Sequence, residues 1–164
     1  MASGRPDLRW AAKVRVSAAF LLAGAVAGTG LYFGNLAYVN AAERRAGNAA
    51  LNWAERYATG CWYYYGGSSC SPGYDNSGLV MEAFGNGAGI WLPHSTYAML
   101  GDPRLHRIPL SRAVPGDLMF YGSGHVEINT PWYHQTFGAH DWGQRVGWIT
   151  WGPSWYPTAA YRVS

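Results

Sequence analysis

The chain has 164 residues, of which 49% are apolar and 13% are charged, and its formal net charge is +3. This length suits one domain with an appendage, and the low charged share excludes a disordered tail protein or a charged coiled coil. The 16% of aromatic residues indicate a well-packed body or a cleft that faces sugars or peptides.

The basic excess lies at the N-terminus. Arg5, Arg9, Lys13 and Arg15 precede the first apolar run, where Asp7 is the single acid, and the other eight cations are balanced by eight acids. A nucleic-acid-binding protein needs a clustered basic face, and a neutral body offers none. We therefore expect no nucleic-acid partner.

An uncharged segment follows these cations, and residues 16–34 are about long enough to span a bilayer core. Cations before such a segment and none after it predict a cytoplasmic N-terminus. Two outcomes fit: residues 1–41 are a signal peptide, or they are an N-terminal membrane anchor. In both cases residues 42–164 are expected outside the cytoplasm, secreted or in the cell envelope. Membrane contact is then expected only through an uncleaved segment 1–41.

The chain contains two cysteines, Cys61 and Cys70. In an oxidising compartment an even pair at short spacing predicts a disulfide. Metal binding is a weaker alternative, because no CxxC or paired-histidine spacing accompanies them. A free nucleophilic cysteine is the remaining alternative.

The first half of the body has the pattern of helices. Residues 41–58 predict an amphipathic helix, with Gly60 as its stop signal. After a turn-rich stretch, residues 77–84 predict a second helix for which Asp75 is a plausible N-cap. Residues 95–100 predict a short third helix.

The second half has short strand-like runs separated by Gly, Pro and Asn. They lie at residues 117–121, 125–128, 135–137, 146–151 and 160–163. Helices first and strands afterwards indicate an α+β domain with an antiparallel sheet. No linker is long enough to divide the body, so residues 42–164 are expected to form one domain.

Three polar positions suggest a catalytic layout. Cysteine-type acyl transfer needs a nucleophile, a base within hydrogen-bond reach and a group that orients the base. A helix N-terminus stabilises a thiolate and offers N–H groups to an oxyanion. The junction at residues 75–78, a strand histidine at His125 and a further histidine at His140 match this layout.

Five segments carry a family resemblance. They are YYGG (64–67), YDNSGLV (74–80), GIWLPHST (89–96), VPGDLMFY (114–121) and GHVEI (124–128). In this order and spacing the chain resembles the NlpC-like cell-wall peptidases, papain-like cysteine hydrolases that cut the peptide stems of peptidoglycan. The resemblance runs from about residue 42 to residue 151. It implies a papain-like α+β fold, in which N-terminal helices pack on a small antiparallel sheet.

The resemblance also implies roles for individual histidines. His125 matches the family's catalytic base, and His140 best fits the third, orienting position. His134 is the alternative for that position, because the connection between the two strands can be aligned differently.

Other positions near the site follow from the same resemblance. Tyr63 matches an aromatic that lines the family's cleft, and Asp75 and Ser77 flank the nucleophile position as candidate substrate-binding residues. Independently of the resemblance, Glu127 lies on the same strand as His125, on the opposite face from Val126. It either sits near the site or is exposed on the strand, and exposure is the plainer interpretation.

One position departs from the family. Where the resemblance implies the nucleophilic cysteine, this chain has Asn76, and a carboxamide is not a usable nucleophile. We therefore expect an exported peptidoglycan peptidase whose catalysis is lost. The alternatives are a non-catalytic module that binds stem peptides or a partner protein, and a membrane-anchored structural subunit. No sequence feature indicates a metal, nucleotide or flavin cofactor.

Overall fold

Helix α1, residues 41–57, begins the part of the chain that the structure describes, residues 41–164 of a computed structural model. Its inward face is small and apolar, with Ala50, Leu51 and Ala54 at most 4% exposed. The helix agrees with the predicted segment 41–58. Residues 1–40 of the predicted signal or anchor lie outside the described residues.

A short hairpin leads into the second helix. Its strands are β1 (Ser68–Ser69) and β2 (Gly73–Tyr74), and the helix is α2 (Asn76–Ala88). The sequence predicted α2 only as far as residue 84, because glycines and Asn are poor helix formers. In the structure the helix continues to Ala88, and Gly85 lies so close to the Trp91 ring that a Cβ there would approach it within 2.5 Å.

Helix α3 is a single turn, Thr96–Met99, with Ser95 as its N-cap. It falls within the predicted segment 95–100. Among the helices of residues 41–164, none combines the length and the hydrophobicity that a membrane crossing requires.

The main sheet has six strands, and every neighbouring pair of strands in it is antiparallel. Its strands are β3 (Leu105–Ile108), β4 (Leu118–Tyr121), β5 (His125–Asn129), β6 (Gln135–Gly138), β7 (Gly147–Thr150) and β8 (Ala159–Val163). Their order across the sheet is β3-β8-β4-β5-β6-β7. Helices followed by an antiparallel sheet confirm the α+β expectation, whereas β3 was not predicted.

Helix α2 packs against β5 and β6. This contact forms the core, in which Val126 and Ile128 of β5 and Phe84 of α2 are 0% exposed. Because side chains alternate along a strand, His125 and Glu127 lie on the other face of β5.

Candidate active site

Asn76 is the first residue of α2. Its side-chain Oδ1 accepts a hydrogen bond of 2.7 Å from the hydroxyl of Thr96. Thr96 begins α3 and is 5% exposed, so a buried partner holds the amide. The structure thus places Asn76 at a helix N-terminus, where free backbone N–H groups and a partial positive charge accumulate.

Asp75 is the N-cap of α2 and is 7% exposed. Its Oδ1 accepts hydrogen bonds from the Gly78 amide at 2.6 Å and the Ser77 hydroxyl at 3.0 Å, and its Oδ2 accepts from the Gly66 amide at 2.9 Å. His94 Nε2 lies 3.1 Å from Oδ1. Asp75 and Ser77 are thus held by internal hydrogen bonds that fix the turn into α2, and their contact with substrate stays a prediction.

A cleft of about 410 Å³ opens beside Asn76. Two of its lining residues, Tyr65 and Tyr97, are 74% and 78% exposed. Gly124 also lines the cleft and directly precedes His125 in the chain. The cleft therefore connects the start of α2 with the start of β5.

His125 and His140 meet at one carboxylate. The Oε1 atom of Glu127 lies 2.8 Å from His125 Nε2 and 2.9 Å from His140 Nδ1. Its Oε2 atom accepts a hydrogen bond from the Thr136 hydroxyl on β6. The imidazole side chains are 12% and 22% exposed, and the Glu127 side chain is 0% exposed.

The structure corrects the interpretation of Glu127 as an exposed strand residue. The residue is 1% exposed, because its face of β5 is covered by segments from later in the chain. It stands between the two histidines, so the group bonded to His125 is Glu127, and His140 contacts that carboxylate.

The charge state of the cluster follows from these bonds. Burial alone would raise the pKa of Glu127, but hydrogen bonds from His125, His140 and Thr136 lower it to about 2. The hydrogen bond to Glu127 raises the pKa of His140, against the opposing effect of burial. The carboxylate is therefore ionised at neutral pH and accepts from both rings.

Trp155 covers this cluster. Its ring stacks on Tyr121 at a centroid distance of 4.4 Å and stands edge-on to His125 at 5.2 Å and to His140 at 4.7 Å. Burial raises the pKa of Tyr121, and the charge of Glu127 raises it further. The Nε1 atom of Trp155 is buried without a hydrogen-bond partner.

The two candidates for the orienting histidine lie in different surroundings. His134, the alternative to His140, stacks between Tyr133 at 3.8 Å and Trp151 at 4.0 Å. His140 rather than His134 therefore joins the cluster.

The predicted disulfide joins Cys61 and Cys70, whose Cα atoms are 5.0 Å apart. The loop that it closes carries Tyr63, which is half-buried and stands edge-on to Trp142 at 5.5 Å. Burial raises the pKa of Tyr63, and the charge of Asp75 adds to the effect. That charge effect indicates that Tyr63 lies within electrostatic reach of the start of α2.

Several solved structures share this architecture. A form of the resuscitation-promoting-factor-interacting protein RipA, mutated at a histidine, is 25% identical with a TM-score of 0.60, and the match covers 77% of this chain and 64% of that one. The NlpC/P60 domain of the peptidoglycan hydrolase SagA is 25% identical with a TM-score of 0.56, covering 74% and 97%. This chain thus spans less than two thirds of that RipA structure.

A third structure shows the fold alone. The peptidoglycan hydrolase RipB from Mycobacterium tuberculosis is 23% identical with a TM-score of 0.61, over 76% of this chain and 68% of that one. A search of curated protein sequences found no match.

Fold and neighbours define a papain-like α+β protein, with a helix N-terminus beside a histidine-bearing strand. Residues 60–136 match the model of the NlpC/P60 family. The match to the NlpC/P60 family model thus covers just under half of the chain.

Proposed function

We propose that this chain is an extracytoplasmic NlpC/P60 protein that keeps a peptidoglycan-peptide cleft but has lost cysteine-type hydrolysis. One observation carries the proposal. The sequence holds only Cys61 and Cys70, both are in the disulfide, and the first residue of α2, where the resemblance implies the nucleophile, is Asn76.

The side chains at the expected nucleophile position support the loss of catalysis. An acyl-enzyme forms only on an activated nucleophile, and the lone pair of an amide nitrogen is delocalised into its carbonyl. The neighbouring hydroxyl of Ser77 is 6% exposed and donates to Asp75. Neither the Asn76 amide nor the Ser77 hydroxyl replaces a thiolate at the N-terminus of α2.

The remaining groups support an ancestry as a hydrolase. In this proposal His125 is the relic of the general base and Glu127 its orienting group, since Glu127 Oε1 lies 2.8 Å from His125 Nε2. His140 supports Glu127 from the other side at 2.9 Å. In this proposal Tyr63 takes the position of the family's aromatic residue near the reacting carbonyl.

The N-terminal charge pattern supports a location outside the cytoplasm. In this proposal residues 1–41 direct export, as a cleaved signal or as an anchor, and residues 42–164 form the peptidase-like domain. The partner is then a peptidoglycan stem peptide, and the membrane is contacted only through residues 1–41.

The test is Asn76→Cys in the full chain, assayed for cleavage of cell-wall stem peptides. A thiol at the N-terminus of α2 would have a lowered pKa, because the partial positive charge there stabilises the thiolate. We expect cleavage that is absent in the starting protein and in the matched variant Asn76→Ala. Adding His125→Ala should abolish the cleavage, and adding His140→Ala should weaken it.

Two results would contradict the proposal. Cleavage of stem peptides by the starting protein with Asn76 intact would show a nucleophile other than the one lost. Cleavage by Asn76→Cys that survives His125→Ala would remove the base from the mechanism.

A second function, peptide binding without cleavage, is favoured by the cleft itself. It remains open beside Asn76, with the exposed Tyr65 and Tyr97 on its wall. Calorimetry with purified stem peptides should then show saturable binding to the starting protein that Tyr97→Ala weakens. Tyr133→Ala is the control, because Tyr133 is 87% exposed and does not line this cleft.

A further inference from the structure

We propose that His125, Glu127 and His140 bind one zinc ion, through His125 Nε2, Glu127 Oε1 and His140 Nδ1. The inference goes beyond the proposed function, because neither peptide binding nor the lost cysteine chemistry requires a metal. In this inference the cluster of His125, Glu127 and His140 serves as a metal-binding site.

The three ligand atoms already converge. They lie within 4.8 Å of one another, and the two imidazole nitrogens are 2.8 Å and 2.9 Å from Glu127 Oε1. Zinc binds nitrogen and oxygen at about 2.0–2.2 Å, which separates tetrahedral ligand atoms by about 3.3 Å. Each of the two nitrogen–oxygen pairs therefore has to open by only about 0.5 Å to admit the ion.

The proton balance is simple. With Glu127 ionised, each neutral imidazole now donates its N–H to the same carboxylate oxygen. A shift of each ring to its other tautomer moves the proton to His125 Nδ1 and to His140 Nε2. Both ligand nitrogens then present lone pairs. A neutral ring loses no proton when the ion binds, and a protonated ring releases one to solvent.

The strand geometry holds the ligands in place. His125 and Glu127 are two residues apart on β5, so they lie on one face. Thr136 donates to Glu127 Oε2, which leaves Oε1 for the ion and fixes the carboxylate as an outer-shell partner does in known metal sites. The partial exposure of both imidazoles, 12% and 22%, gives the ion an entry path.

Trp155 supplies an independent observation. Its buried Nε1–H meets no acceptor with hydrogen-bond geometry, the stacked Tyr121 included, although its ring packs edge-on against both imidazoles. A buried donor without a partner is unusual in proteins and costs free energy. Three protein ligands leave a fourth zinc position for a water molecule, and such a water would add an acceptor to a cluster that the Trp155 ring covers.

The donor set selects the metal. Two imidazoles and one carboxylate suit zinc, whereas calcium and magnesium prefer oxygen ligands alone. The same set also binds iron(II) with open positions. We assign zinc, because the disulfide between Cys61 and Cys70 indicates an oxidising compartment in which iron(II) does not persist.

The experiment is zinc titration of the full chain, without a polyhistidine tag and after removal of metals by a chelator. Competition with a chromophoric chelator should give one zinc per chain with a micromolar or lower Kd. Cobalt(II) in place of zinc should give the visible absorption of a four-coordinate site. Iron(II) added anaerobically is a second arm, and tighter binding of iron than of zinc would overturn the assignment of the metal.

Variants separate this site from surface binding. His140→Gln and Glu127→Gln should each weaken zinc binding by about 10-fold or more, and circular dichroism should confirm that they remain folded. His134→Gln is the matched control, since His134 stacks outside the cluster and should leave the Kd unchanged. Absence of stoichiometric zinc binding by the starting protein, or loss of binding in His134→Gln alone, would overturn the proposal.

Discussion

At the scale of single residues, the position of Glu127 depends on a glycine. Gly138 on β6 has no side chain, and a Cβ there would approach Glu127 Cγ within 2.7 Å. Gly147 on β7 is the cross-strand partner of Gly138, and a Cβ at Gly147 would meet only a backbone oxygen at 4.0 Å. The two glycines therefore have different roles in one ladder.

Gly138→Ala should displace the Glu127 side chain and lower the free energy of unfolding by about 1–3 kcal/mol, because the added methyl overpacks a buried site. The imidazole NMR signals of His125 and His140 should shift with it. Gly147→Ala should stay within about 0.5 kcal/mol of the starting protein. Equal stability of the two variants would mean that Glu127 moves aside without cost.

The sequence predicted the histidines of this cluster but not the role of Glu127. Alternation along β5 correctly assigned Glu127 to the face opposite Val126, and a strand face opposite the core is usually solvated. Here Trp155 and His140 come from distant segments to cover that face. Burial of that face depends on the path of the loops, and loop sequences have no periodicity of apolar residues from which it could be predicted. The pattern H-x-E, with both side chains on one strand face, is the one local signal of this pairing.

At the scale of elements, α2 depends on its N-cap. Asp75 accepts hydrogen bonds from Gly66, Ser77 and Gly78, and His94 lies against it. The cap therefore links the hairpin side, the helix and the segment before α3. An ordinary cap such as Ser95 of α3 accepts one bond, from Ala98 at 3.3 Å.

Asp75→Ala should lower the free energy of unfolding by about 2 kcal/mol or more, the upper end for loss of a cap. Several buried donors would lose their acceptor at once. Ser95→Ala, the matched control on α3, should cost about 0.5–1 kcal/mol. Denaturant unfolding of both variants measures the difference, and a smaller effect at Asp75 than at Ser95 would refute the linking role.

Helices α1 and α2 and five of the six strands of the main sheet were predictable, because their apolar residues recur with the period of the element. Strand β3 was missed. It carries Leu105 as its one buried residue, with His106 and Arg107 exposed, so it lacks the alternation that marks a half-buried strand. It becomes a strand because β8 pairs with it along its whole length, and that partner lies more than 50 residues later in the chain.

At the scale of the whole molecule, stability should depend on pH through the buried cluster. The pKa of Glu127 falls from 4.5 to about 2, so its contribution is full above pH 4.5 and is lost as the pH falls towards 2. The pKa of His140 rises above 6.5, so its contribution is full below pH 6.5 and is lost as the pH rises through the raised value. The contributions of Glu127 and His140 to the free energy of unfolding are therefore both full only between pH 4.5 and pH 6.5.

The free energy of unfolding, measured with a chelator present, should therefore be largest at about pH 5.5. Acidification should remove about 3 kcal/mol as Glu127 is protonated. Glu127→Gln has no carboxyl group to titrate, so its profile should be flatter on the acid side. Parallel profiles for the two proteins would show that Glu127 does not govern this dependence.

The place of β8 in the sheet has a consequence for biosynthesis. It pairs with β3 on one side and with β4 on the other, although it follows every other strand in sequence. A chain that leaves a ribosome or a translocation pore with its N-terminus first exposes two unpaired strand edges until residues 159–163 emerge. Unpaired edges are templates for association with other chains. The interval before β8 emerges is therefore when newly made copies are most exposed to aggregation and proteolysis.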